Sequence, residues 1–350
     1  YLGRAAIAAL PDGERLLGYT PYQPGMAAFG LPRALAGAGW ATDARVWFAL
    51  GTAVVLAVAA HTLLRGPATG SGRVDQAALI RAGQMATVLP ICSLTLATGG
   101  DDLPVLALGL LGFALAHRGR LTWAGVALGA AGAMKLFALP VAVVLLATAA
   151  TLGWRCAVRY ALPAFGLPVL ALLPAVLVDP DAAVENVLRF PLGRGLVTSP
   201  AQSPLPGRLL SVAVPGGRLI ALGLLGLLAV GIAVRLLRRP PATAAAAATV
   251  TAVGLVGAIA LLPATRFGYL LYPLSFAFAA PALRAGPVPA APEERHTAGH
   301  DPRHVNGEYP IYPNPMGEPY QSRRHQHGVQ LYATLEIARW LSGRPEVESV

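Results

Sequence analysis

Few side chains in this sequence could do chemistry, and they fall into four groups. Asp101 and Asp102 are adjacent, at the mouth of an apolar run. Paired carboxylates there suit a general base or a bound divalent cation; they also suit the start of a helix, where acids meet the positive end of the dipole. Asp12 and Glu14 share a segment with Tyr19, Tyr22 and Gln23, a mixture that fits sugar binding, with rings under the sugar faces and acids on the hydroxyls. The same tyrosines would equally suit a membrane–water interface. Arg189, Arg194, Arg208 and Arg266 flank apolar runs; guanidinium groups grip phosphate bidentately, and lipid headgroups are the alternative contact. Arg194 lies in a Gly-rich stretch, and Arg266, with Tyr269 close behind, in a tight turn. Lys135, the one lysine of the chain, sits among apolar residues, where a charge needs a partner or a task unless it snorkels to an interface.

The elements that must position these groups follow from composition. Over 350 residues, hydrophobic types make up 55 % and charged types 13 %, with mean hydropathy +0.56. So few charges cannot cover a soluble fold with this much apolar surface. The continuous apolar runs exclude a transmembrane β-barrel, which alternates. The expected fold is all-α, a polytopic membrane protein. Spans are predicted at 46–64, 79–98, 103–117, 157–178, 217–236, 242–262 and 267–283. The stretch 121–150 is long for one span and short for two. The predicted division is a loop with short interfacial helices over 1–45, a membrane domain over 46–284, and a linker with a polar tail over 285–350. That tail is expected to be mostly disordered, with one weak helix at 329–342. The chain opens on Tyr1 and is read as a fragment that lacks its true N-terminus.

The formal charge is +10. Residues 1–283 carry 20 basic and 9 acidic groups, and the basic ones sit at the ends of apolar runs, which is a topology signal and not a nucleic-acid footprint. The connections 65–81, 117–120, 151–160 and 235–240 are Arg-rich, whereas 99–102 carries only the two acids. The positive-inside rule makes the first four cytoplasmic and the last external. Residues 117–120 and 151–160 then share a side, so 121–150 must enter and return, as a re-entrant pair of half-helices broken near Pro140. This gathers 1–45, 99–102, 179–216 and 263–266 outside. Within the third, Asp179-Pro180 reads as an N-cap and first helical position. The helix that follows should lie on the membrane by Val184, Val187 and Leu188, with Glu185, Asn186 and Arg189 turned to the other face.

Cys92 and Cys156 have no metal or redox spacing, the tail histidines sit among helix breakers, and no nucleotide or hydrolase motif is present. No cofactor is indicated; a divalent cation at the acid pair is the one addition these residues allow.

Five stretches together resemble a family: GYTPYQPGMAAFGLPRAL (18–35), TGGDDLPVLAL (98–108), AGAMKLFALPVAVVLL (131–146), ENVLRFPLGRGLVTSPAQSPLPGRL (185–209) and LPATRFGYLLYPL (262–274). They are similar to actinobacterial integral-membrane glycosyltransferases of family 87, mannosyltransferases of the GT-C superfamily that use polyprenyl-phosphate mannose. The resemblance implies an extracytoplasmic active site in the plasma membrane, a polyprenyl-phosphate sugar donor, a lipid or glycan acceptor, and an essential carboxylate in the first external loop. Asp12 and Glu14 are the acids that this loop presents. The alternative class is a non-catalytic or transport protein of the envelope; transport favours inverted repeats and several deep charges, and the sequence has no repeat and one deep charge.

The charge bias is checked by cysteine-accessibility labelling. Cysteines placed in 99–102 and 179–216 should react from outside and those in 235–240 only from inside; labelling of 155–159 from outside would overturn the paired reading of 121–150.

Overall fold

The computed structural model describes residues 1–65 and 75–284. The predicted polar tail lies outside the described residues. Two short helices, α1 (Arg4–Ala9) and α2 (Leu31–Ala36), and intervening 3-10 turns make up the first 43 residues. Then follow α3 (Ala44–Arg65), α4 (Gln76–Thr87), α5 (Pro90–Thr98), α6 (Asp102–His117), α7 (Leu121–Met134), α8 (Leu139–Thr151) and α9 (Trp154–Val178). After α10 (Pro180–Val184) and a long loop come α11 (Pro206–Ala213), α12 (Gly217–Arg238), α13 (Ala244–Leu261) and α14 (Leu271–Ala279). The described fold is all-α, as expected. Among the described residues, five helical segments are long and apolar enough to cross a bilayer: α3, α4 with α5, α9, α12 and α13.

The stretch 121–150 enters and returns as expected, as α7 and α8 broken over residues 135–138 just before Pro140. At about 1.5 Å per residue, α6, α7 and α8 rise roughly 24, 21 and 20 Å, against a hydrocarbon core of about 30 Å. The α7–α8 turn therefore comes back to the level of Asp101 and Asp102, at the start of α6. Three neighbouring helices are short at the same end, and they leave a depression between longer ones.

The two ends of the bundle are distinct. At one, the Arg118 guanidinium donates to the carbonyls of Thr62 and Leu63 in the last turn of α3, so the connection 117–120 shares an end with the Arg-rich segment after α3. At the other end, the segments 1–45, 99–102, 179–216 and 263–266 converge. This is the grouping that the charge bias required.

Small residues set the packing. Gly125, Gly129 and Gly132 line the face of α7 that meets α9. A Cβ at Gly125 or Gly129 would run into the carbonyls of Tyr160 and Pro163, and one at Gly132 would meet the Pro168 ring at 2.8 Å. The backbones approach this closely because no side chain intervenes, which is how helices gain contact in lipid, where burial of apolar surface supplies little drive. Tyr160, fully buried, then donates from its hydroxyl to the Ala142 carbonyl and fastens α9 to α8 as well.

Gly129→Ala should therefore destabilise the detergent-solubilised protein by about 1–3 kcal/mol, as over-packing does. Gly231→Ala in α12, where an added Cβ meets nothing within 4 Å, should be neutral or mildly stabilising. Thermal unfolding of the two variants side by side is the measurement; equal shifts would deny the close α7–α9 seam its role.

Candidate active site

The α7–α8 turn exists because Lys135 leaves helical geometry, with φ −147° and ψ 132°. A short 3-10 turn (Leu136–Ala138) follows, and Pro140 in the first turn of α8 restarts the helix. This aims the ammonium at the start of α6. Lys135 Nζ donates to Asp101 Oδ2 at 2.7 Å and to Asp102 Oδ1 at 2.5 Å. Its side chain is 12 % exposed, as is that of Asp102, while Asp101 is 25 % exposed. Snorkelling is thus not the role of Lys135. Nor is helix capping the role of Asp101, whose side chain makes no cap hydrogen bond.

The two carboxylates are held differently. Asp102 Oδ1 also accepts from the buried Tyr272 hydroxyl at 2.7 Å. Asp101 is bonded through one oxygen to Lys135 and is the more open of the two. The rings of Tyr22 and Tyr269 stand 5.1 and 5.9 Å from the ammonium, within cation–π range. Burial pushes the Tyr22 phenol up to about 12, and the neighbouring Asp101 charge adds to the shift, so this hydroxyl is a donor at neutral pH.

These groups line a chamber of about 430 Å³. Its floor holds Asp101, Asp102 and Lys135, and its walls include Tyr19, Tyr22, Tyr269 and Arg266. Seven of the side chains that the sequence singled out, from four separate segments, thereby come together. Tyr22 is placed by close docking of the first loop on α7: Gln23 N donates to the Met134 carbonyl at 3.0 Å, and a Cβ at Gly25 would meet Ala133 O at 2.6 Å. Arg266 is held by paired loops, since Ser203 N donates to Thr265 O and Thr265 N to Ala201 O, both at 3.0 Å.

Four candidates lie outside the chamber lining. Asp12 is exposed and pairs with Arg15 at 2.7 Å. Glu14 is exposed on the same loop, and Arg194 on the loop after α10. Arg189 pairs with Asp181 at 2.8 Å and Glu185 at 3.3 Å.

Glu185 marks a correction. Asp179 does cap α10, accepting from Ala182 N at 2.9 Å, and Val184 and Leu188 do face outward. The opposite face, however, is turned into the protein and not to water. Glu185 and Asn186 are fully buried. Glu185 accepts from Arg4 at 3.2 Å and from the Tyr19 hydroxyl at 2.9 Å. Asn186 accepts from Thr20 N and donates to the Leu2 carbonyl, both at 2.8 Å. A π-helical turn over Glu185–Arg189 delivers them. The first loop, which presents Tyr19 and Tyr22 to the chamber, is thus fastened to the segment after α9. The one signal for this in the sequence was an acid and an amide beside an apolar stripe, and it carries no information on what lies opposite.

Glu185→Ala should weaken this anchor by about 1.5–3 kcal/mol, the loss of a charge-assisted buried bond. Limited proteolysis should then cut within residues 1–30 faster than in the parent, while α7 and α9 stay protected. Unchanged cleavage would remove Glu185 as the anchor.

Among known proteins, the model of Glycosyltransferase family 87 matches residues 19–263. No curated protein matches. Among solved structures, the crystal structure of ArnT from Cupriavidus metallidurans bound to undecaprenyl phosphate aligns with a TM-score of 0.49 and 16 % identity, covering 76 % of this chain and 50 % of that one. The chain therefore spans half the length of that solved structure. The family match extends over well more than half of the sequence, from the chamber's first tyrosine to the end of the loop before Arg266, and on that ground the chain belongs to glycosyltransferase family 87.

Proposed function

We propose that this chain is a membrane glycosyltransferase that moves a hexose from a polyprenyl-phosphate donor to the hydroxyl of a lipid or glycan acceptor, on the extracytoplasmic face of the plasma membrane. Family membership supports glycosyl transfer. The observation that carries the mechanism is a chamber in which a carboxylate, an ammonium, a guanidinium and three tyrosines converge at the end of the bundle where positive charge serves no topological purpose.

The chemistry follows from what each group can reach. An acceptor hydroxyl must lose its proton as its oxygen attacks the anomeric carbon of the donor, and the bond from that carbon to the phosphate oxygen must break. Asp101, the more open carboxylate, takes the proton. Asp102, held by Lys135 and Tyr272, keeps the ammonium oriented. The departing polyprenyl phosphate gains negative charge, which Arg266 and Lys135 stabilise. The rings of Tyr22 and Tyr269 present faces for the sugar. Mannose is the sugar that the family resemblance implies.

An apolar groove of about 430 Å³ accounts for the lipid tail. It runs between α8, α12 and α13, past Leu139, Val143, Leu228, Ile232, Val250 and Leu255. Chain continuity ties it to the chamber on both sides: Leu136 and Phe137 line the chamber and Leu139 the groove, while Leu262 lines the chamber and Ala258 the groove. A prenyl chain lying there puts its phosphate at the chamber.

Transfer from a radiolabelled polyprenyl-phosphate sugar, in membranes carrying the full-length protein, tests the reading. Asp101→Asn should lower the rate about 10²–10⁴-fold, the range for a lost general base. Arg266→Gln should lower it about ten- to a hundred-fold, the loss of one charge-assisted contact. Wild-type rates in both folded variants would move the reaction elsewhere.

A further inference from the structure

A second cavity, of about 290 Å³, lies against the chamber on the far side of the paired loops. Leu192, Ser199, Ala201 and Ala264 line both, so the two share a wall. The character of the second cavity is different. Arg208 and Arg218 face it together with the hydroxyl-bearing Thr198, Ser199 and Ser211, and none of its lining residues is acidic. Among the described residues neither arginine has an ion pair. Arg208 donates to Gln202 Oε1 at 3.1 Å. Arg218 donates through one terminal nitrogen to the Gly193 carbonyl at 2.7 Å, and its other terminal nitrogen is buried without a hydrogen-bond acceptor. That orphan donor is expensive unless something fills the pocket.

The loop is shaped around this guanidinium. Gly193 has φ +69°, a region that side chains disfavour, and an added Cβ would stand 3.1 Å from the buried nitrogen of Arg218. Two forks of N–H donors, three hydroxyls and the absence of any carboxylate in the lining define a pocket for a tetrahedral oxyanion. It cannot be the donor phosphate site of the proposed reaction, because the shared wall separates it from Asp101 and Lys135.

We propose that this pocket is a second oxyanion site, which seats a phosphate ester carried by the acceptor and so holds the acceptor hydroxyl toward the chamber. Assignment to the acceptor rests on the transferase reading above; the oxyanion site itself does not. The donor's phosphate lies on one side of the wall and the acceptor's on the other, each with its own arginines.

The test uses the full chain in phosphatidylcholine nanodiscs, with glycerol 1-phosphate as the probe and calorimetry as the readout. Arg208→Gln and Arg218→Gln should each weaken binding about ten-fold, and Arg45→Gln, at an exposed arginine paired with Asp43, should leave it unchanged. Ser211→Leu, which fills the pocket and keeps both arginines, should also abolish binding, so a folding defect in an arginine variant does not decide the matter. Unchanged binding in the two arginine variants, or equal loss in Arg45→Gln, overturns the second site. Loss of probe binding when phosphatidylglycerol is added to the nanodisc identifies an ordinary headgroup site and overturns the acceptor assignment. In the transfer assay, Arg208→Gln should raise the acceptor KM about ten-fold with the donor KM unchanged. If wild type transfers nothing, the transferase reading fails while calorimetry still judges the pocket.

Discussion

The ammonium of Lys135 between Asp101 and Asp102 is the interaction on which the rest of this architecture depends. A lone charge at that depth is costly, and breaking a buried pair by removing one member typically costs about 3–5 kcal/mol. The pairing dictates geometry far beyond three side chains. For Lys135 to reach both carboxylates, the chain must leave helical conformation between α7 and α8, and α7 must end level with the first turn of α6. That fixes both helices as short. The longer helices around them then rise past the triad, and the depression left over is the chamber. Tyr272 completes the arrangement from α14, so the most remote segment of the described chain is drawn to the same point.

Rigidity comes from a different source. The seam between α7 and α9 is backbone against backbone, the first loop is tied down by main-chain bonds together with the side chains of Glu185 and Asn186, and the loop before α14 is held by main-chain hydrogen bonds. In lipid this is the available route, because tails solvate apolar side chains as well as protein does. The result is a site whose acids and lysine stand on helix ends, while its tyrosines and Arg266 stand on loops that are nonetheless tied down. Such a division suits a reaction in which the proton acceptor must be fixed and the ligand-gripping groups must be reached from outside.

The sequence made much of this legible. Apolar runs gave the five long segments, because bilayer thickness fixes length, whereas the spans predicted at 103–117 and 267–283 are shorter helices. Arginine asymmetry grouped the four segments that meet at the chamber. Lys135 was visible as a charge in need of a partner, and Asp101, Asp102 and Arg266 as groups at one end of the bundle. What stayed hidden was long-range. Nothing local to Glu185 tells that Arg4 and Tyr19 wait opposite it, and an amphipathic pattern reports that a helix has two faces, not what each face meets. Tyr272 read as one more apolar-run tyrosine, since its partner is 170 residues away. Pro140 and the glycines marked the break in 121–150 but not its height, which is set by the carboxylates on another helix.

The α7–α9 seam also bears on how such a chain can change over time. Gly125, Gly129 and Gly132 are complementary to the carbonyls of Tyr160 and Pro163 and the ring of Pro168, so these positions are one inherited unit and not six independent ones. A larger residue on α7 needs a displaced or straightened α9, and without its prolines α9 would no longer follow the stripe. Drift at either helix is therefore blocked by the other. In any set of related chains, the two groups of positions should vary in concert or not at all, even while the loops beside them diverge to suit new sugars and acceptors.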